Sequence, residues 1–187
     1  MVIWIGLGIA VLAGIYAIWL YNRLVAYRQR TREAWSDILV QMQRRYDLIP
    51  NLVETVKGYA AHEKTTLDEV VAARNAAVAQ TGTPDEQATA EATLNGALAH
   101  VFALSENYPD LKASANFQDL QHELSDSENR IQSARRHYNG SVKALNTAIE
   151  SFPGNIVAGL FHFTPEPFFE LEAGTAAEVE RPVGVSF

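Results

Sequence analysis

The chain has 187 residues, with 15 Lys and Arg against 22 Asp and Glu for a net charge of −7, and it contains no cysteine. Without cysteine it has no disulfide framework, no thiolate nucleophile and no cysteine-ligated metal. Apolar residues make up 48% of it, and after an anchor of about 21 residues is set aside the remainder suffices for one domain with its own core.

Residues 1–22 carry no side-chain charge, and Val2 to Tyr21 are nearly all apolar. That length matches the roughly 20 residues a helix needs to cross the hydrocarbon of a bilayer. A cleaved signal would show a basic start, a shorter apolar core and a small-x-small site before a polar chain, so residues 1–22 are read as a retained transmembrane anchor. Trp4 near one end and Trp19, Tyr21 and Tyr27 near the other put amphipathic rings at both headgroup zones. Within the span, Gly6, Ala10 and Gly14 recur every four residues. Such a face lets two helix backbones approach closely and supports a homo-oligomer; the alternative is a lone helix of ordinary composition.

Arg23, Arg28, Arg30 and Arg32 follow the span, and no charged side chain precedes it. This predicts a single-pass protein with its N-terminus outside and its C-terminal domain in the cytoplasm. From Asn22 to Arg45, six arginines meet only Glu33 and Asp37. The first four are therefore candidates for contact with anionic headgroups, at roughly 1 kcal/mol per basic residue near the surface; alternatively they serve only to set topology.

Beyond the anchor, a helical bundle is predicted over 23–152, with helices at about 23–49, 51–80, 84–108 and 117–152. Trp35, Ile38, Met42, Tyr46 and Ile49 form the stripe of the first. Pro50 lacks a backbone donor and crowds the carbonyl of Tyr46, which predicts a kink or break there. Leu52, Val56, Tyr59, Leu67, Val70, Ala77 and Val78 continue the pattern, with Glu63 as its one charged interruption. Thr83, Pro84 and Glu86 have the spacing of a capping box with proline at the first helical position, so a helix starts there. Its stripe, Leu94, Leu98, Val101 and Phe102, runs on to Tyr108, and 109–115 are read as a connection. The most regular stripe is the last: Phe117, Leu120, Leu124, Ser127, Ile131, Ala134, Tyr138, Val142, Leu145, Ile149 and Phe152. Its helix of about 36 residues would be roughly 50 Å long. No strand-like alternation occurs, so the fold class is all-α: an N-terminal transmembrane helix followed by an elongated antiparallel three- to four-helix bundle. Residues 153–172 are read as a short apolar segment packing on the bundle or on the membrane, and 173–187 as an acidic, disordered tail.

The search for chemistry produces exclusions. Asp119 and His122 make one approximate Glu-x-x-His pair, whereas a di-iron bundle needs two such pairs and further glutamates. His62-Glu63 is followed by Thr66 where a zinc-protease helix needs its second histidine. No serine lies in a nucleophile elbow and no glycine-rich loop could cradle a phosphate. No catalytic, cofactor-binding or metal-binding residues are therefore assigned, no cofactor is expected, and the protein is read as a non-enzyme.

The run WSDILVQMQRRYDLIPNLVETVKGYAAHE at 35–63 closely resembles the LemA family. ENYPDLKA at 106–113, NFQDLQ at 116–121, ARRHYN at 134–139, FPGN at 152–155 and FFE at 168–170 resemble that family's pattern in its usual order. The resemblance covers about Tyr21 to Glu170 and implies a bacterial inner-membrane protein with an N-terminal anchor and a long helical bundle. It implies no catalytic residue, and links a magnetosome-associated branch to membrane invagination. Asp37, Gln41, Arg45, Asp47, Asn51 and Glu54, polar positions of the first motif, are read as polar layers between helices or as a partner-binding surface. The expected function is a self-associating scaffold or membrane-organising protein. The alternative is a membrane-tethered adaptor for another envelope or cytoplasmic protein. Expected partners are the lipid bilayer, further copies of the chain and an unidentified protein, with no nucleic acid and no small-molecule substrate.

Overall fold

The computed structural model describes residues 1–170, and among these the chain is all-helical with no strand. Six helices follow one another: α1 (Val2–Tyr59), α2 (Lys64–Ala79), α3 (Pro84–Ser105), α4 (Pro109–Lys112), α5 (Ala115–Glu150) and α6 (Gly154–Leu160). The acidic tail anticipated at 173–187 lies outside the described residues.

Three boundaries differ from the sequence reading, the first being that the helix expected at about 51–80 is divided at 60–63, between the end of α1 and the start of α2. α1 does not stop at Pro50 but continues to Tyr59. Proline leaves the carbonyl four residues back without its helical partner, and here Arg74 of α2 donates its Nε–H to that carbonyl, on Tyr46, at 3.1 Å. A side chain from the next helix thus satisfies the group that would otherwise favour a break. The residues read as the connection 109–115 contain the single helical turn α4, which starts on Pro109 and buries Leu111.

At the start of α3 the Thr83 hydroxyl accepts from the Glu86 amide, and the Glu86 carboxylate accepts from the Thr83 amide at 2.8 Å. This reciprocal cap satisfies two donors that a helix start leaves open.

The chain divides into two compact units. The first comprises Met1–Leu39 and Ser133–Pro167. Its core is Leu24 from α1, Leu145 and Ile149 from α5, and Val157, Ala158 and Phe163 from α6 and beyond; Leu20, Tyr21, Val25 and Tyr27 pack against this cluster. Asn146 clamps the segment after α6, accepting from the Glu166 amide and donating to the Glu166 carbonyl, both at 2.9 Å. Tyr138 donates to the Pro167 carbonyl at 2.9 Å and packs its ring 5.3 Å from that of Trp35.

The second unit comprises Val40–Gln132 and, among the described residues, 168–170. Met42, Ile49, Leu52 and Val56 of α1, Leu67 and Val70 of α2, Leu94 and Val101 of α3, and Phe117 and Leu124 of α5 are buried in it. Tyr108 donates to the Glu63 carboxylate at 3.0 Å, so this charged interruption of the stripe sits partly buried with a partner.

Candidate functional site

The first unit contains the charge-free N-terminal stretch of α1. Residues 1–19 are all exposed, and the helix carries an apolar window with a mean hydropathy of 2.2 in which no residue is buried. Among the described residues, one helix, at the N-terminus, is long and apolar enough to cross a membrane. A side chain added at Gly6 or Gly14 would meet nothing within 4 Å, and Ala10 is exposed with them.

Where this stretch ends, the cations lie on aromatic faces. The Arg23 guanidinium is 5.3 Å from the Trp19 ring and 5.4 Å from the Tyr27 ring, and it donates to the Tyr27 hydroxyl at 2.9 Å. Arg28 covers the Phe163 ring at 4.8 Å and Arg30 the Tyr27 ring at 5.9 Å, while Arg32 is exposed. Rings and stems of this kind let a charge stay wet above an apolar layer. A groove of about 500 Å³ opens beside them, lined by Tyr16, Leu20 and Arg23 of α1, Gly140 and Lys143 of α5, and the turn Phe152–Gly154.

The second unit contains a buried polar cluster. Arg45 of α1, only 2% exposed, donates to the carboxylates of Glu91 on α3 and Glu128 on α5, and to the Asn95 side-chain oxygen at 2.9 Å. Glu91 also accepts from the Tyr46 hydroxyl, to which Gln87 donates at 3.1 Å. Gln132 donates to Glu128 at 3.2 Å. Burial, and then the neighbouring Glu91 carboxylate, push the Tyr46 phenol well above its ordinary range, so it remains a hydrogen-bond donor. Three helices are thus tied at one level by one guanidinium. A buried charge that loses its partner is costly.

Of the six polar motif positions, only Arg45 joins this cluster. Gln41 is half-buried, Asp47 accepts from Gln43 at 2.7 Å on the surface, and Asp37, Asn51 and Glu54 are exposed. The cluster's other polar members, Gln87, Glu91, Asn95, Glu128 and Gln132, were missed from sequence. Gln87 and Glu91 lie in the same three- and four-residue steps as Leu94 and Leu98, and extending that apolar stripe backward would have found them.

Among the described residues, no group of three or more His, Asp or Glu could hold a metal ion. His62, Asp119 and His122 lie at the surface.

A family model described as LemA family matches residues 34–187. The chain belongs to the LemA family. The match takes in Arg45 and its partners but leaves out the first 33 residues, where the apolar stretch lies. This LemA-family chain is similar to protein LemA of Metamycoplasma hominis, 29% identical, with 86% of this chain and 71% of that protein covered. It is also similar to magnetosome protein MamQ of Magnetospirillum gryphiswaldense, 27% identical with 88% of the chain covered, and to magnetosome protein MamQ 2 of Paramagnetospirillum magneticum, at 25% with the same coverage. The chain spans 66% of the length of each MamQ protein.

Proposed function

We propose that this LemA-family protein is a single-pass bacterial inner-membrane protein, N-terminus outside and helical domain in the cytoplasm, that acts without catalysis as a self-associating, membrane-organising scaffold. The carrying observation is the bare apolar stretch of α1, exposed on all sides and continuous with the helix that packs on α5 and α6. Exposure of an apolar helix over this length is stable in lipid and unfavourable in water. Arg23, Arg28, Arg30 and Arg32, all on its C-terminal side, support the orientation and contact with anionic headgroups. The open face of Gly6, Ala10 and Gly14 supports close approach of a second copy. The remaining helices are read as an antiparallel bundle whose register Arg45 sets through Glu91 and Glu128. The kinship with magnetosome proteins is compatible with membrane organisation.

The test is the mass of the full-length protein in mild detergent, by native mass spectrometry, beside a Gly6→Ile, Gly14→Ile variant. A discrete assembly that shrinks in the variant is the expected result. A monomer in both sinks the scaffold, and a stoichiometric co-purifying protein would instead identify a membrane-tethered adaptor.

A further inference from the structure

The apolar stripe of α5 is buried or half-buried as far as Ile149 but fails at its last member, since Phe152 is 80% exposed. Nearby, Ile156 is 61% and Leu160 69% exposed, and Phe161 is exposed as well. Residues 151–165 contain no Asp, Glu, Lys or Arg. In a soluble protein so many large apolar side chains in one charge-free stretch would be an anomaly.

Contacts within the first unit set the level of this stretch against the span. The Tyr21 ring lies 4.7 Å from Phe161 and 5.8 Å from Phe163. Phe152, Pro153 and Gly154 line the same groove as Tyr16 and Leu20, which belong to the charge-free segment. The α5–α6 turn therefore stands beside the last turns of the span, at the depth where Tyr and Trp mark the headgroup boundary.

The groove changes character along its length. On the α1 wall the order is Tyr16, Leu20, Arg23 and Tyr27; on the α5 wall, starting from the turn, it is Ser151, Thr147, Lys143 and Gly140. Both walls thus pass from the apolar, uncharged end to one cation each. Neither Arg23 nor Lys143 is held in an ion pair among the described residues. Gly140 leaves the upper groove open, with nothing within 4 Å of where a side chain would begin. A volume of about 500 Å³ is of the size that admits a ligand headgroup.

We propose that residues 151–163 seat in the same leaflet as the end of the anchor, and that the groove beside them holds one anionic phospholipid of that leaflet. Its acyl end lies against Tyr16, Leu20 and Phe152, and its phosphate lies between Arg23 and Lys143. This proposal rests on the membrane-anchored reading above and adds a second, specific contact with the bilayer.

The chain has no native cysteine, so single bimane labels at Val11→Cys, Ile156→Cys and His100→Cys can be compared in the full chain in nanodiscs containing lipids brominated on the acyl chain. Labels at 11 and 156 are expected to be quenched several-fold and the label at 100 unaffected. Quenching at 11 without quenching at 156 overturns the proposal and leaves the anchor standing. A label at 11 that stays bright overturns the anchor itself. Native mass spectrometry of the full chain released from nanodiscs of mixed phosphatidylcholine and phosphatidylglycerol reads the occupant. One phosphatidylglycerol is expected to be retained, about fivefold less in Lys143→Gln or Arg23→Gln, and lost in Gly140→Leu. That last change fills the groove while favouring the helix. Equal retention of the two lipids, or retention insensitive to all three substitutions, overturns the lipid site.

Discussion

The two units hold their helices together by opposite means. In the first, the core is aliphatic and aromatic, and the cations Arg23, Arg28 and Arg30 are kept outside it, laid over Trp19, Tyr27 and Phe163. In the second, a guanidinium and a carboxylate are enclosed among apolar side chains, and Tyr46 and Gln87 complete the carboxylate's hydrogen bonds. Apolar packing favours contact without dictating which residues meet, whereas a buried charge tolerates only the arrangement that gives it a partner. A lost side chain in the first unit therefore leaves a cavity, whereas a lost cation in the second leaves a buried charge without its partner.

The sharpest way to break this contrast is Arg45→Met, which leaves Glu91 enclosed without its cation. Chemical unfolding of the full chain in detergent, followed by circular dichroism, should show a loss of about 3–5 kcal/mol. The double variant Arg45→Met, Glu91→Leu should recover most of it; if it is no more stable than the single variant, the register argument fails. In the first unit, Leu145→Ala should cost about 2–4 kcal/mol as a cavity loss, measured the same way.

Alkaline pH separates the units further. The folded state raises the Tyr46 phenol above its unfolded value, so it holds that proton more tightly than the unfolded chain does. The resulting stability is fully present below pH of about 10, the unfolded value, and falls above it by at most about 1.4 kcal/mol per pH unit. Tyr46→Phe should remove this part of the alkaline slope, and an unchanged slope would show that the phenol is not held protonated.

The smallest effect concerns Pro50. Arg74→Ala should cost about 1 kcal/mol through the lost bond to the Tyr46 carbonyl. In a Pro50→Ala background the restored amide at position 50 can take that carbonyl, so the cost should shrink toward zero. A double-mutant cycle without coupling would sever Arg74 from the passage of α1 through Pro50.

Much of this protein was legible in the order of its residues, because helix formation and lipid compatibility depend on local pattern. The charge-free start of α1, the Thr83–Glu86 cap and the stripe of α5 as far as Ile149 are short-range features, and each predicts its own structure. Other features were decided only when distant segments met. Pro50 looked like a kink or a break because its lost hydrogen bond is local, while the donor that replaces it comes from Arg74, 28 residues along the chain from the Tyr46 carbonyl. Glu91 carries no local sign of burial because a lone carboxylate usually lies at the surface, and only the approach of Arg45, 46 residues away, makes its burial tolerable. Phe152 continued a buried stripe in one dimension and emerged exposed in three, because α5 ends at Glu150 and its periodicity ends with it. Periodicity specifies which face of a helix is apolar; tertiary structure decides what that face meets, since partners distant in sequence carry no local signature of one another.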